Sequence, residues 1–131
     1  MANEITSTAV LMVNNGQLSD RLTVSEQFSQ AVAAEHPDAV SVPTTAAGAV
    51  VPIGAVAGGQ EGMVMMFNLD QTNYVEVGLQ VSGTFYPKDR LDPGSSSRPG
   101  NPLLSKFAPG VTWYWRANTA ACLVKMMLLQ K

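Results

Sequence analysis

Apolar and polar residues alternate along three segments of the chain, and this two-residue period is typical of a β-strand with one buried face. In residues 73–81 the odd-numbered positions are mostly apolar, whereas Glu76 and Gln80 are polar. The same alternation extends over residues 111–117 and 122–128. We therefore predict a strand over each of these segments, with one face in the core.

Five shorter segments also fit strands, because each is rich in apolar or β-branched residues and is bounded by turn residues such as Asn-Gly or Gly-Gly. These weaker predictions cover residues 5–13, 22–28, 39–42, 49–53 and 62–69. Many short strands separated by glycine and proline turns indicate an all-β fold. We predict one antiparallel β-sandwich or jelly-roll-like domain over residues 1–131, with at most one short helix.

One segment leaves two alternatives open. Residues 25–35 have a helical composition, and Ser25 is a suitable N-cap for a short helix. Leu22, Val24 and Phe28 fit a strand equally well because they recur with a period of two. The sequence therefore permits either a helix or a continuation of the preceding strand.

Three segments are predicted to lie outside the regular strands or to contact other chains. Residues 92–102 combine proline, glycine and serine, which do not sustain a sheet ladder, so we predict an exposed loop. Residues 46–59 are small, apolar and uncharged. Since such a stretch promotes aggregation when exposed, we expect burial in the fold or against a neighbouring subunit. Residues 1–8 are expected to form an N-terminal arm.

The composition indicates a protein that covers part of its surface with other chains. The 131 residues are 46% hydrophobic and 14% charged, with a formal net charge of −2, whereas an average soluble domain is about 25% charged. Few charges are available to cover the exterior, and the near-neutral balance gives little repulsion between copies. We therefore expect contacts with further copies or with other proteins.

Charge and hydropathy argue against two classes of partner. The 8 lysine and arginine residues are scattered from Arg21 to Lys131, without the basic patch that phosphate binding requires. No apolar stretch reaches the roughly 18 residues needed to span a bilayer, and the first residues lack the features of a signal peptide. We expect no nucleic-acid partner, no membrane partner and synthesis in the cytoplasm.

The sequence contains no recognisable catalytic or metal-binding set. His36 is the single histidine and Cys122 the single cysteine, which excludes an internal disulfide and a multi-histidine metal site. A serine nucleophile would depend on His36, and no G-x-S-x-G motif occurs. We interpret residues 36–38 (His-Pro-Asp) as a turn and Cys122 as inert packing in a strand. The chain is predicted not to be an enzyme and to need no metal or cofactor.

The most distinctive local cluster is Trp113-Tyr114-Trp115. Strand alternation places the two tryptophans on the core face and Tyr114 on the opposite, exposed face. An exposed ring can stack on a sugar, and Tyr74 and Tyr86 offer further rings. A carbohydrate-binding module is therefore an alternative function.

Four blocks in the second half of the chain together form one recognisable sequence pattern. They are residues 67–78 (FNLDQTNYVEVG), 83–87 (GTFYP), 91–94 (LDPG) and 117–121 (ANTAA). As a group these blocks resemble a recurrent small structural protein of tailed bacteriophages. The resemblance covers residues 63–129, and this chain departs from it between Pro93 and Leu104, where the resembling chains make only a short turn.

These blocks also have a physical interpretation. Asn68, Asp70 and Asn73 have short side chains that can hydrogen-bond the backbone of the connecting turn. Gly78 allows a neighbouring chain to approach the strand closely. Residues 117–120 are small and link the last two strands, for which we predict a hairpin held by its own polar side chains.

The resemblance implies a non-enzymatic structural protein of the virion, foremost a capsid decoration or cement protein on the capsid surface. Its expected partners are the major capsid protein, other virion proteins and further copies of itself, for which we expect a trimer. A neck, tail or fibre-base protein and a host-attachment module are the alternatives. The candidate interface residues, chosen from composition, are Val50, Val51, Ile53, Val56, Pro93, Ser96, Arg98, Ile5 and Tyr114.

Overall fold

The computed structural model describes residues 5–28, 35–94, 100–108 and 110–130, which form strands and connections without a helix. The strands are β1 (Ile5–Asn15), β2 (Leu18–Phe28), β3 (Glu35–Val42), β4 (Ala49–Val50), β5 (Glu61–Asn68), β6 (Val75–Val81), β7 (Thr84–Leu91), β8 (Leu103–Lys106), β9 (Tyr114–Ala117) and β10 (Cys122–Gln130). The predicted all-β class is confirmed. Residues 25–28 adopt the strand alternative, and residues 29–34 lie outside the described residues.

Two four-stranded antiparallel sheets form the body of the domain. Sheet I has the order β3-β10-β5-β8, and sheet II has the order β4-β9-β6-β7. A single cluster of buried side chains joins them, with Met66 and Val124 from sheet I and Val77 and Trp115 from sheet II among its members. Burying such a side chain contributes roughly 1.5–3 kcal/mol. The two sheets therefore stabilise each other as the layers of a β-sandwich.

The alternation seen in the sequence appears directly in the burial of β10. Its even-numbered residues, from Cys122 to Leu128, are buried between the sheets, whereas Leu123, Lys125 and Met127 point to the outer side. Side chains of a strand alternate between the two faces of a sheet. In β10 both faces are mainly apolar, so sheet I has an apolar outer face as well as an apolar core face.

The sequence prediction missed two strands, β7 and β8. In β7, Pro87 and the charged residues 88–90 hide the period of two. This strand lies at the edge of sheet II, where a proline is tolerated because the outer side of the strand needs no N–H donor. The bulge in the pair of β6 and β7 lies in β7 at Lys88, because Val77 pairs with Asp89 and the next residue, Gly78, pairs with Pro87. A Cβ atom at Gly78 would overlap the carbonyl oxygen of Tyr86. The predicted close approach at Gly78 is therefore made by β7 of the same chain.

The interpretation of residues 36–38 as a turn is wrong. These residues belong to β3, in which Pro37 lies opposite Met127 of β10. β3 is an edge strand of sheet I, and an edge accommodates proline without losing a ladder hydrogen bond on its outer side. Pairing with the long apolar strand β10 therefore determines the conformation of residues 36–38, although their sequence is typical of a turn.

The first two strands form a separate two-stranded sheet, and we call residues 5–28 the arm. β1 and β2 pair with each other over 11 residues each. They are joined by a two-residue turn in which Gly16 has a φ of 54°, a left-handed conformation that glycine adopts without strain. The predicted arm over residues 1–8 is thus part of a longer hairpin, with residues 1–4 outside the described residues.

Candidate functional site

A network of short polar side chains holds one end of the sandwich. Asn68 is fully buried, and its Nδ2 donates hydrogen bonds to the carbonyl oxygens of Asn73 and Leu91, at 2.6 and 3.4 Å. Its Oδ1 accepts a hydrogen bond from the backbone N–H of Asp70 at 2.9 Å. Oδ1 of Asp70 in turn accepts from the backbone N–H groups of Thr72 and Asn73 at 2.7 and 2.6 Å. The prediction that these side chains hydrogen-bond the backbone of the turn is confirmed for Asn68 and Asp70, whereas Nδ2 of Asn73 donates to Oδ1 of Asp70 at 3.4 Å.

The predicted hairpin between the last two strands is wrong. β9 lies in sheet II and β10 in sheet I, so residues 118–121 carry the chain from one sheet to the other. The connection from β5 to β6 crosses beside it, and Asn118 joins the two crossings. Its Oδ1 accepts from the backbone N–H of Tyr74 at 3.1 Å, and its N–H donates to the Tyr74 carbonyl at 3.2 Å. This polar end is therefore architectural.

Cys122 is buried at the same end of the molecule. Its side chain is 1% exposed, and burial, together with the negative charge of Asp70, raises the pKa of the Cys122 thiol to about 11. Its Sγ lies 3.6 Å from the carbonyl oxygen of Asn73. A nucleophilic cysteine needs an accessible thiolate, so the interpretation of Cys122 as inert packing is confirmed.

The candidate interface residues of the segment 46–59 have different environments. Val51 and Val56 are only 2% and 3% exposed, and Ile53 packs against the same core cluster. Val50 is 55% exposed. Of the alternatives for this segment, burial within the fold therefore holds for Val51 and Val56, whose side chains leave little surface for another chain.

Val50 and Tyr114 are brought together on sheet II. They pair directly between β4 and β9, and both lie on the outer face because their neighbours Ala49 and Trp115 face the core. Pro93 is half-buried outside the strands, and Ile5 begins β1. The remaining two candidates, Ser96 and Arg98, lie outside the described residues.

The three tyrosines do not form one aromatic platform. Tyr114 pairs with Gly78 of β6, whereas Tyr86 pairs with the next residue, Leu79. Consecutive strand residues face opposite sides of a sheet, so the two rings lie on opposite faces. Tyr74 is covered by the guanidinium group of Arg90, 4.1 Å from the ring centroid. The geometry therefore offers no shared stacking surface for a sugar.

A pocket of about 340 Å³ lies at the other end of the sandwich, between the β4–β5 and β8–β9 connections. Phe107 and Trp113 stack in its wall with ring centroids 4.7 Å apart. Glu61 is 6% exposed and accepts a hydrogen bond from the N–H of Gly110 at 3.4 Å. Glu61 is the only ionisable side chain among the described lining residues, so the pocket lacks the paired groups that acid–base catalysis requires.

The described residues contain no cluster of three or more His, Cys, Asp or Glu side chains placed to bind a metal ion. In the same part of the chain no helix is long and apolar enough to cross a membrane.

One face of the arm is apolar and uncovered. Register places Ala9, Leu11 and Val13 of β1 on the same face as Leu22 and Val24 of β2, and we call these five residues the apolar arm face. Leu11 is 73% exposed, Leu22 62% and Val24 56%. The strands of the arm pair only with each other in the described structure. An isolated two-stranded hairpin is marginally stable in water, and this face of the arm adds exposed apolar surface to it.

The opposite face of the arm is mostly polar. Thr8 and Ser25 share a hydrogen bond between their hydroxyl oxygens at 3.2 Å, and Arg21 donates from Nε to the hydroxyl of Thr23 at 3.1 Å. The sequence contained the signals for both strands and for the turn at Gly16. It did not reveal that the strands pair outside the two main sheets, because that depends on where they dock.

The outer face of sheet I is the second uncovered apolar surface. Register places Met127, Met65 and Leu104 in one row across it, and Leu123 lies farther along β10 on the same face. We call these four residues the methionine face. Each is between 37% and 47% exposed. The outer face of sheet II is different, because Arg116 forms an ion pair there with Glu76, at 2.7 Å between Nε and Oε2. The outer face of sheet I carries Lys106 and Lys125 beside the methionine face, and its described residues leave these four apolar side chains exposed.

Comparison of the chain with protein-family models, curated proteins and solved structures finds no match. The functional interpretation accordingly rests on the residues and surfaces described above.

Proposed function

We propose that the chain is a non-enzymatic structural protein of a bacteriophage virion, and specifically a capsid decoration or cement protein that binds the major capsid protein. The observation that carries this proposal is that one chain exposes apolar side chains on three separate surfaces: Val50 beside Tyr114 on sheet II, the apolar arm face, and the methionine face. Exposed apolar patches of this kind typically mark protein–protein contacts. The resemblance of residues 63–129 to small phage structural proteins indicates that the assembly is a virion.

The mechanism needs no chemistry. A decoration protein stabilises a shell by burying surface across contacts between capsid subunits, and a standard interface buries about 800 Å² per partner. The sandwich is a rigid scaffold whose polar end is locked by Asn68 and Asn118. Such a scaffold holds its contact surfaces in place without ordering flexible segments on binding, which lowers the entropic cost of association.

The outer face of sheet II supplies the candidate contact with the capsid. Val50 and Tyr114 lie side by side there, and the Val50 side chain is 55% exposed. An aliphatic side chain beside a tyrosine is a common composition for the centre of an interface. Both residues were among those expected from the sequence to contact other virion proteins.

The first test is mass spectrometry of denatured, purified virions of the phage that encodes this chain. A copy number comparable with that of the major capsid protein supports a decoration protein. A few copies per particle instead support the neck, tail or fibre-base alternative. Absence of the chain from virions contradicts a structural role altogether.

The second test compares two matched variants in binding to particles that lack the protein. Val50→Glu places a charge in the proposed contact and should weaken co-sedimentation with the particles. Val81→Glu is the control, because Val81 is also a valine of sheet II with a similar exposure of 59%. Equal binding of both variants would remove Val50 from the capsid contact.

A further inference from the structure

We propose that the apolar arm face docks on the methionine face of a second copy of this chain, so that copies assemble by exchanging arms. This inference deepens the proposed function by naming one partner, and it rests on that function only for the place where the assembly acts. Each chain carries both halves of the contact, and the side chains of both halves remain at least partly exposed within the chain.

The arm does not cover the methionine face of its own chain. Near the base of the arm, Thr6 and Thr8 line a pocket of about 240 Å³ together with Met65, Leu104 and Met127. Thr6 and Thr8 belong to the polar face of the arm. The polar face of the arm is therefore the one turned toward the methionine face of the same chain, and a gap separates the two. The apolar arm face points away and stays available for another chain.

The dimensions of the two surfaces match. Each arm strand has 11 residues, so the ribbon is about 37 Å long and, at roughly 4.8 Å per strand, about 10 Å wide. The four strands of sheet I span about 19 Å by the same spacing, which is wide enough to receive it. The apolar part of the ribbon runs from Ala9 to Val13, about 14 Å at roughly 3.4 Å per residue, so it fits within the width of the sheet.

The charges on the two surfaces are complementary. Asp20 lies on the same side of the arm as the apolar arm face, opposite Val13. Lys125 lies on the outer side of β10, between Leu123 and Met127 of the methionine face. A carboxylate on the donated ribbon and an ammonium group on the receiving sheet favour this pairing. Two arms placed face to face would instead bring like charges together.

The contact is heterologous, because the donated surface and the receiving surface are different parts of the chain. Heterologous contacts produce closed rings when the rotation between copies closes, and open chains when it does not. The trimer expected from the resemblance is one such ring.

The first experiment measures the mass of the full-length chain by light scattering over a range of concentrations. Wild type should be an oligomer. Leu11→Glu and Met127→Glu should each be monomeric or associate roughly tenfold or more weakly, because each buries an unpaired charge in the proposed contact. Both side chains are exposed within one chain, Leu11 at 73% and Met127 at 46%, so neither change should disturb the fold. Val81→Glu is the control and should remain oligomeric.

The second experiment mixes the two monomeric variants. Leu11→Glu retains an intact methionine face, and Met127→Glu retains an intact arm. A mixture in equal amounts should therefore form a heterodimer through the one remaining contact, although neither variant associates alone. Recovery of the heterodimer is the result that a general loss of stability does not produce.

Three results would overturn the inference. Wild type that stays monomeric would show that the apolar arm face does not bind a second copy. Oligomers of Met127→Glu combined with monomers of Leu11→Glu would favour arm-to-arm pairing. Failure of the mixture to associate would exclude arm exchange. A monomeric wild type that is abundant in virions would leave the proposed function standing, whereas an arm-exchanged oligomer absent from virions would refute only that function.

Discussion

At the scale of single residues, Asn68 is the side chain on which the polar end of the sandwich depends. It is fully buried and both ends of its amide are hydrogen-bonded to backbone groups of the turn and of Leu91. The carbonyl group of the buried residue Leu91 has no water available to replace the hydrogen bond from Asn68. A short polar residue is thus as firmly part of the core as the valines around it.

Replacing Asn68 with alanine should lower the free energy of unfolding by about 2–4 kcal/mol, because buried backbone groups lose their partners at about 1–3 kcal/mol each. Chemical denaturation with urea measures this change. Thr72→Ala is the matched control in the same turn and should stay within about 0.5 kcal/mol of wild type, since the Thr72 side chain is exposed. A loss at Asn68 no greater than at Thr72 would contradict the structural role of the network.

Asp70 makes the same turn sensitive to acid. Hydrogen bonds from the backbone N–H groups of Asn73 and Thr72 lower the pKa of its carboxyl group below the ordinary value. A carboxyl group with a lowered pKa in the folded state stabilises the fold above its ordinary pKa of about 4. That stabilisation is lost as the pH falls through the folded value.

Asp70→Asn should therefore be less stable than wild type at neutral pH, and the difference should shrink as the pH falls below about 4. Urea denaturation at a series of pH values measures the trend. Asp89→Asn is the control, because Asp89 is exposed and its carboxyl group makes no hydrogen bond with the described part of the chain. A constant difference between wild type and Asp70→Asn over the whole acid range would contradict this account.

At the scale of strands, the structure depends on close approach as well as on alternation. β7 bulges at Lys88, opposite Val77 and Gly78 of β6, and its backbone lies against Gly78 at a distance that leaves no room for a Cβ atom. Glycine at this position is required by the packing of the two backbones, since its φ is not in the left-handed region.

Gly78→Ala should lower the free energy of unfolding by about 2 kcal/mol or more, because the overlap is with backbone that can move only by distorting the strand pair. Gly58→Ala is the control, since a Cβ atom there meets nothing within 4 Å, and it should change stability by about 0.5 kcal/mol or less. Thermal unfolding of the two variants distinguishes them. Equal stability of Gly78→Ala and Gly58→Ala would contradict the close approach of the two backbones at Gly78.

Strands with a clear period of two could be predicted from the sequence, and strands at edges could not. β10 has an apolar residue at nearly every position and pairs on both sides, so its pattern reflects its own environment. β7 carries a proline and three charged residues, which only its place at the edge of sheet II explains. Residues 36–38 were misassigned for the same reason, because turn-forming residues are also the ones that edges tolerate.

The candidate surfaces were predictable only in part. The sequence indicated that residues 46–59 would be covered, and the fold itself covers Val51 and Val56. The exposure of Met65 and Met127 could not be predicted, because methionine fits a core and an interface equally well. Which face of the arm is free likewise depends on the position of the arm against sheet I, and that is a property of the tertiary structure.

At the scale of the whole molecule, polar and apolar outer surfaces are separated between the two sheets. Sheet II carries the ion pair of Arg116 with Glu76, and Arg116 also lies over the ring of Phe85. Sheet I carries the methionine face. The two exteriors therefore differ in kind, because sheet II combines an ion pair with the exposed Val50, whereas sheet I exposes four apolar side chains around Lys125. The near-neutral net charge of −2 allows many copies to lie close together without strong repulsion.

Pro37, at one edge of sheet I, opposes the addition of further strands when many copies lie close together. A sheet with an apolar face and an open edge can grow by adding strands in its own plane, which is the route to fibrils. The two edges of sheet I are β3, which contains a residue without an N–H donor, and β8, which has only 4 residues. Neither edge is a good template for a further strand. Other chains can therefore pack on the outer face of sheet I, whereas its edges disfavour the strand addition that leads to fibrils.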